Sequence, residues 1–284
     1  MMEIKQSPAN VLLMGGDGRM YYTAEALAAD GCRVMLWGQS EEGSVASWTQ
    51  MITQANRLIL PIPLTRDGVN LFAPNLKNPP ALADLLLMLR AGQVVAAGNA
   101  PEWFADEVRE KGCLLIDYGS SEGYAVPNAL ATAEGAIALA IEHTKMVLAN
   151  SRALVLGFGR IGKQLCRLLC AMGVKVTVCA RKEADRVYAR TMGCDSLPFA
   201  MMGNALGRQE MVFNTVPRRL MGADEFARMS EDAVFFDLAP IYDGSEDERI
   251  IRCPSLPYRF APKTAGILVH GCVRDLLDGK GEEA

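Results

Sequence analysis

The residues with the clearest chemical meaning are Gly157-Phe158-Gly159-Arg160-Ile161-Gly162, a G-x-G-x-x-G spacing. The apolar run ALVL precedes it, the helical pattern GKQLCRLLCAMG opens from it, and VKVTVCA follows. That strand, turn, helix, strand setting gives the spacing its meaning as a dinucleotide loop. Gly157 permits the tight turn, Gly159 lets backbone approach a pyrophosphate, and Gly162 lets helix and strand pack closely. The N–H groups of Arg160 and Ile161 at the helix start then face the phosphates with the positive dipole end. Where an NAD-binding chain usually carries Asp or Glu, at the end of the next strand, this chain reads Ala180-Arg181-Lys182. With no carboxylate at that point, the sequence predicts NADP, its 2′-phosphate held by Arg181 with Lys182 or Arg160 assisting.

Two later strand ends fall where a nicotinamide would lie, because ligands of open α/β sheets bind beyond the carboxyl ends of strands. They are Asn214-Thr215-Val216-Pro217 and Asp237-Leu238-Ala239-Pro240. Asn214 and Thr215 are expected to hydrogen-bond ribose or carboxamide, with Val216, Asp237 and Leu238 beside them; the alternative for the first two is turn formation before Pro217. A second glycine-rich turn, Gly15-Gly16-Asp17-Gly18-Arg19, lacks the dinucleotide spacing. A helix start with Arg19 suits a carboxylate, so Asp17 and Arg19 are substrate-side candidates, against a plain turn.

No Ser/His/Asp triad is visible, and the chain has two histidines, His143 and His270. Glu134 interrupts the apolar run ATAEGAIALAI. It is expected either near a helix start, stabilised by the dipole, or partly buried with a raised pKa suited to proton transfer. His143 is the second proton-transfer candidate. Lys263 and Thr264 start the last helix after Pro262 and make a carboxylate-binding pair, with Lys263 also placed among the catalytic candidates. Asn128 and Thr132 complete the substrate side.

These residues need a scaffold. Strand-like runs at NVLLMGG (10–16), CRVMLWG (32–38), RLILPIP (57–63), QVVAAGN (93–99) and CLLIDYG (113–119) alternate with helical segments at 19–30, 45–55, 80–90 and 101–111. Continuous Val/Ile/Leu runs between helices predict a parallel sheet covered on both faces. A long helix, Ala129 to Asn150, follows Pro127. A second alternating block has strands at 153–159, 174–180, 211–216, 233–239 and around Ile250–Cys253, and a last helix runs from Lys263 to Leu277 ahead of a charged tail. The fold class is α/β: two doubly wound Rossmann-like domains joined by two crossing helices, the last returning to the first domain, with a cleft between them. The domains are residues 1–128 with 264–284, on the substrate side, and 129–263, binding NADP.

The 284 residues suffice for two cores, and the net charge of −4 gives no nucleic-acid surface. No run reaches the 18 or so uncharged residues of a membrane span, since Glu134 splits the best candidate. The start MMEIKQSPAN lacks a secretory layout. The eight cysteines contain no Cys-x-x-Cys pair and read as incidental thiols of a reducing cytoplasm. Cys166 and Cys170, four apart on one helix, would need a His or Cys partner to hold a metal; none lies nearby in sequence, and no metal is expected.

Taken together, GGDGR (15–19), PNALATAEGAIALAIEHT (127–144), LGFGRIGKQLCRLLCAMGVKVTVCAR (156–181), NTVP (214–217), DLA (237–239) and APKTAG (261–266) resemble the A subunit of dipicolinate synthase from spore-forming bacteria. The resemblance spans nearly the whole chain. It implies a layout like 2-hydroxyacid dehydrogenases and an enzyme that oxidises a dihydro- or 4-hydroxytetrahydrodipicolinate to pyridine-2,6-dicarboxylate with NADP. It also implies work beside the B subunit of dipicolinate synthase in the mother-cell cytoplasm, and a homo-oligomer. The alternatives are an NADP-dependent dehydrogenase of another small carboxylic acid, or a non-catalytic NADP-binding protein regulating a partner. One departure stands out. After DLA the family continues in a Ser-x-Pro-Gly-Gly turn, whereas here Pro240-Ile241-Tyr242-Asp243-Gly244 follows, and Leu256 to Phe260 replace small residues.

Overall fold

A computed structural model describes residues 9–40 and 47–277. The first eight residues, the start of the helix expected at 45–55 and the charged tail lie outside the described residues.

The chain divides into two compact units, 1–125 with 262–284, and 126–261. The first holds β1 Asn10–Met14, α1 Gly18–Ala29, β2 Arg33–Trp37, α2 Trp48–Gln54, β3 Arg57–Ile59, α3 Leu82–Met88, β4 Val94–Ala97, α4 Glu102–Glu110 and β5 Leu114–Asp117. Helix α5, Glu122–Thr144, carries the chain into the second unit. There follow β6 Arg152–Leu156, α6 Arg160–Ala171, β7 Lys175–Cys179, α7 Glu183–Thr191, β8 Asp195–Leu197, α8 Gly203–Leu206, β9 Met211–Asn214, α9 Ala223–Arg228, β10 Val234–Asp237, β11 Ile250–Arg252 and α10 Leu256–Phe260. Helix α11, Pro262–Leu277, returns to the first unit.

Both sheets are parallel throughout, in the orders β2-β1-β3-β4-β5 and β11-β10-β9-β6-β7-β8. These are the two doubly wound orders, each with a switch point beside its first strand. The continuous apolar runs have a direct cause. In β1, Val11 and Leu13 enter one core layer while Leu12 and Met14 enter the other. In β6, Ala153 and Val155 face one layer and Leu154 and Leu156 the opposite one. A strand buried on both faces has no polar face to alternate with.

The sequence places the first crossing helix too late. It starts at Glu122, runs through Pro127, and stops at Thr144 before Lys145 takes a positive φ of 53°. Pro127 lacks an N–H for the Gly123 carbonyl, so the helix forgoes one bond there. The helix is the one described helix long and apolar enough to cross a membrane. Here Ala133, Ala136 and Ala140 are buried in the core of the second unit, so it is a core helix. Strand β8 has no signal in the sequence, because its three residues, Asp195-Ser196-Leu197, are short and half polar.

In the first unit α11 packs on α1 through Gly266, where a Cβ would stand 2.5 Å from the Arg19 carbonyl and 2.7 Å from Tyr22 Cβ. The Thr23 hydroxyl donates to the Gly266 carbonyl at 2.9 Å. Gly271 of the same helix would meet nothing within 4 Å. Gly266→Ala is therefore expected to cost about 1–3 kcal/mol of stability by overpacking. Gly271→Ala should be neutral or gain up to about 1 kcal/mol from helix propensity. Denaturant unfolding of the two variants checks the contrast.

Candidate dinucleotide site

The three motif glycines are required for three different reasons. Gly157 has φ +99°, and a Cβ there would meet Thr215 Oγ1 at 2.5 Å and Val216 Cγ2 at 2.7 Å. A Cβ on Gly162 would lie 2.4 Å from the Gly157 carbonyl oxygen, so α6 comes this close to β6 only without a side chain. A Cβ on Gly159 would meet nothing within 4 Å: this backbone faces open space. Gly159 is also the N-cap of α6, with no side-chain cap and no acid in the first turn. The orphan N–H groups of the helix start therefore stand beside open space, the arrangement an anion needs.

That space is a cavity of about 460 Å³ whose lining includes Gly157, Gly159, Ala180, Phe199, Val216 and Leu220. Arg181, Lys182 and Arg218 line it too, and so does Asp185. Among the described residues no ion pair engages the three cations. Arg186 holds the loop that bears Arg181, donating to the carbonyls of Ala180 at 2.9 Å and Arg181 at 2.8 Å. Apolar walls, bare backbone at a helix start and a cationic rim fit the adenosine and pyrophosphate of a nicotinamide dinucleotide. The sequence pattern alone does not reveal two of these residues. Arg218 follows the NTVP strand end, and β9 lies beside β6, which puts it at the same sheet edge. Asp185 corrects the statement that no carboxylate stands near this point: the first turn of α7 brings it back to the cavity.

The polar side chains at the ends of β9 and β10 serve the fold. Asn214 and Asp237 are both 0 % exposed. Asn214 Nδ2 donates to Asp237 Oδ1 at 2.9 Å, and Asn214 Oδ1 accepts the Val216 N–H. Asp237 also accepts the N–H groups of Ala239, Ile241 and Tyr242. Thr215 donates to the Leu156 carbonyl at 2.9 Å, and Leu238 is buried in the core. The expected ribose or carboxamide contact of Asn214, and the cofactor role of the Asp237 and Leu238 side chains, are corrected accordingly, because burial obliges polar side chains to find internal partners; Thr215 is half-buried. Val216 does line the cavity. Arg160 is exposed at the start of α6, and Ile161 packs against the core.

The second glycine-rich turn is also closed. The N–H groups of Gly15 and Gly16 donate to the carbonyls of Trp37 and Phe72. Arg19, buried with Asp17, donates Nε to Oδ1 at 2.7 Å and Nη2 to Oδ2 at 2.8 Å, and reaches the Ile62 carbonyl at 2.6 Å. Burial works against the Arg19 charge, but the Asp17 hydrogen bonds and charge outweigh it and hold the guanidinium above its ordinary range. Asp17 caps α1 through the Arg19 N–H. A neutral, fully bonded pair offers no net charge to a substrate carboxylate, so Asp17 and Arg19 are corrected to structural groups.

Of the remaining candidates, Glu134 lies in the middle of α5 and is exposed, neither near the helix start nor buried, against both expectations. His143, exposed in the last turn, has its ring 6.4 Å from that of Phe236. Lys263 and Thr264 are exposed in the first turn of α11. Thr132 donates to the Asn128 carbonyl at 2.9 Å, while Asn128 Oδ1 is buried without a hydrogen-bond partner. His270 pairs with Asp30 at 2.7 Å. The departing segment after β10 is anchored by Tyr242, 1 % exposed, whose hydroxyl accepts the N–H groups of Leu220 and Met221. It thereby holds the loop that carries Arg218 and Leu220 to the cavity. Leu256 and Phe260 of α10 pack on Gly135 of α5, where a Cβ would meet Phe260 Cδ2 at 2.9 Å.

This geometry has close counterparts among known proteins. Residues 10–119 match the N-terminal domain of the dipicolinate synthase A subunit. Residues 132–240 match the NAD binding domain of D-isomer specific 2-hydroxyacid dehydrogenases. The dipicolinate synthase A subunit of Bacillus subtilis (strain 168) is 25% identical over 283 residues, covering 94% of this chain and 95% of its own. The chain is similar to that subunit along nearly its whole length. Its fold matches the crystal structures of the same protein from Bacillus subtilis, with TM-score 0.82, 23% identity and coverage of 98% and 99%, and from Bacillus halodurans, with TM-score 0.80, 23% identity and coverage of 96% and 99%. The second unit is thus a dehydrogenase-type nicotinamide dinucleotide domain, and the chain is an oxidoreductase of that class.

Two predictions separate structure from ligand here. Gly159→Ala should weaken dinucleotide binding and cost under about 1 kcal/mol of stability as a poorer N-cap, whereas Gly162→Ala should cost about 1–3 kcal/mol by overpacking; calorimetric binding beside denaturant unfolding reads both. Asp17→Asn leaves the Arg19 charge buried without its carboxylate and is expected to cost about 3–5 kcal/mol. A loss under about 1 kcal/mol in urea unfolding would put the pair among weak surface-like bridges.

Proposed function

We propose that this chain, with the B subunit of dipicolinate synthase, oxidises a cyclic dihydro- or 4-hydroxytetrahydrodipicolinate to pyridine-2,6-dicarboxylate, using NADP. The single observation that carries the cofactor reading is the cavity beyond Gly159, rimmed by Arg181, Lys182 and Arg218 with no ion-pair partner among the described residues. Three cations suit the 2′-phosphate, a dianion that pairs through charge-assisted hydrogen bonds. The first-turn N–H groups of α6 take the pyrophosphate. When bound, the oxidised nicotinamide supplies the hydride acceptor.

The substrate reading rests on similarity to the dipicolinate synthase A subunit over 94% of the chain. A dihydro ring loses one hydride and one proton and becomes aromatic; the hydroxylated ring loses water as well. Aromatisation makes hydride loss downhill, so holding the ring in place supplies much of the rate. Lys263 and Thr264 are the groups proposed to grip a substrate carboxylate. Glu134 and His143, exposed on α5, are proposed to accept the proton. The chain is read as a cytoplasmic homo-oligomer, as the resemblance implies.

The Tyr242-anchored segment, where the family carries a glycine-rich turn, favours a second reading: the same NADP chemistry on another small carboxylic acid. The test is to supply the purified chain with NADP and fresh 4-hydroxytetrahydrodipicolinate, with and without the B subunit, and to follow NADPH and dipicolinate together. Equal yields of both support the first reading and say whether this chain suffices. If NADP binds and neither product appears, the dicarboxylate reading is lost. For the cofactor, Arg181→Ala and Arg218→Ala should each weaken NADP by about tenfold to a hundredfold, the worth of one charged hydrogen bond, and change NAD binding little. Equal losses for both cofactors would remove the 2′-phosphate role.

A further inference from the structure

Three thiols meet at the end of α6 remote from Gly159. Cys166 and Cys170 lie one turn apart on that helix, and Cys194 arrives from the turn between α7 and β8. Cys170 Sγ is 3.5 Å from Cys194 Sγ. The sequence offers no hint of this, since Cys194 is distant along the chain and the helical pair alone has no third member. Among the described residues no group of three His, Cys, Asp or Glu has the disposition of a metal site. The cluster plays no part in the dinucleotide cavity.

The three thiols are not equivalent. Cys166 is fully buried, Cys194 is 4 % exposed, and Cys170 is partly exposed, so the cluster reaches the surface through Cys170. The Cys166 thiol, and after it that of Cys170, donate toward Cys194 and draw its ionisation down against burial. The hydrogen bond to Cys194 and burial push Cys166 up, while burial and then the Cys194 hydrogen bond push Cys170 up. Two thiols 3.5 Å apart, one of them reaching the surface, are the arrangement found in oxidant-sensitive dithiols. Gly193, immediately before Cys194, is exposed, and a Cβ there would meet nothing within 4 Å. The turn is unpacked on that side, and the sulfurs have to close from 3.5 Å to the roughly 2.05 Å of a disulfide.

We propose that Cys170 and Cys194 are a modification site: a dithiol that a small hydroperoxide converts to a disulfide. The Cys194 thiolate attacks the terminal peroxide oxygen and the O–O bond breaks. The leaving alkoxide, or hydroxide from hydrogen peroxide, takes a proton, and Cys194 becomes a sulfenic acid. The Cys170 sulfur then displaces the sulfenic oxygen, which departs as water with the thiol proton. Two thiols lose two electrons in total, and the hydroperoxide is reduced to an alcohol, or water, plus one water. Cys166 remains a thiol.

The experiment uses the full native chain, reduced and then exposed to hydrogen peroxide at about one equivalent. Alkylation under native conditions, digestion and mass spectrometry follow. The expected result is loss of two of the eight free thiols and a peptide joining Cys170 to Cys194, with both thiols regained on dithiothreitol treatment. Cys170→Ser combined with Cys166→Ser should stop the reaction at a sulfenic acid on Cys194, trapped by dimedone, while Cys194→Ser should abolish both products. No crosslink in the native chain, a bridge through Cys166, or one that forms only in denaturant overturns the proposal. Mapping the unmutated chain decides the matter even if a variant fails to fold.

Discussion

The second unit depends on one close approach, that of α6 to the end of β6. Gly162 comes so near the Gly157 carbonyl that even a methyl group would stand 2.4 Å from that oxygen. Everything that makes the cavity follows from this contact. The helix start lies against the strand end, so its unpaired N–H groups reach the space in front of Gly159. The loop between them must turn sharply, which Gly157 allows at φ +99°. Thr215 fills the remaining gap with its hydroxyl bonded to Leu156, fastening the next strand to the same corner. A larger residue at Gly162 would lift the helix and move the phosphate-facing backbone with it.

Each unit also contains a carboxylate that the strand-end rule would have offered to a ligand and that the fold uses instead. Asp237 takes hydrogen bonds from Asn214 and from three backbone N–H groups of the segment 239–242. Asp17 takes both arms of Arg19 and a helix N–H. A buried carboxylate costs several kcal/mol unless its oxygens are satisfied, and here they are. Both residues sit at the carboxyl end of a central strand, where polarity is unusual enough to suggest a binding group. What separates the two roles is how many internal donors converge, and that depends on the path of loops far apart in sequence.

The legible part of the chain was therefore whatever local pattern controls. Runs such as NVLLM and ALVL announce strands buried on both faces, and the G-x-G-x-x-G spacing locates the cavity, because turn, helix start and strand are contiguous. The start of α5 is hidden because Pro127 has the look of a helix's first residue and here sits inside one. Asp185 stands four residues beyond Arg181 in sequence, yet the first turn of α7 carries the chain back over the same spot. Cys194 and Arg218 meet their partners through sheet order, which periodicity does not reveal.

The charges around the cavity do not simply cancel. Asp185 and Glu183 occupy the first turn of α7, where the helix's own N–H groups and dipole compensate negative charge. Arg181, Lys182 and Arg218 have no such partner: they follow strand ends, and among the described residues no carboxylate pairs with them. A ribose with two hydroxyls would leave these exposed cations to water alone. A phosphate on that ribose would pair with them, and Tyr242 fixes the loop that follows Arg218 through the N–H groups of Leu220 and Met221. The unusual segment after β10 thus anchors one wall of the cavity, even where it departs from the family's glycine-rich turn.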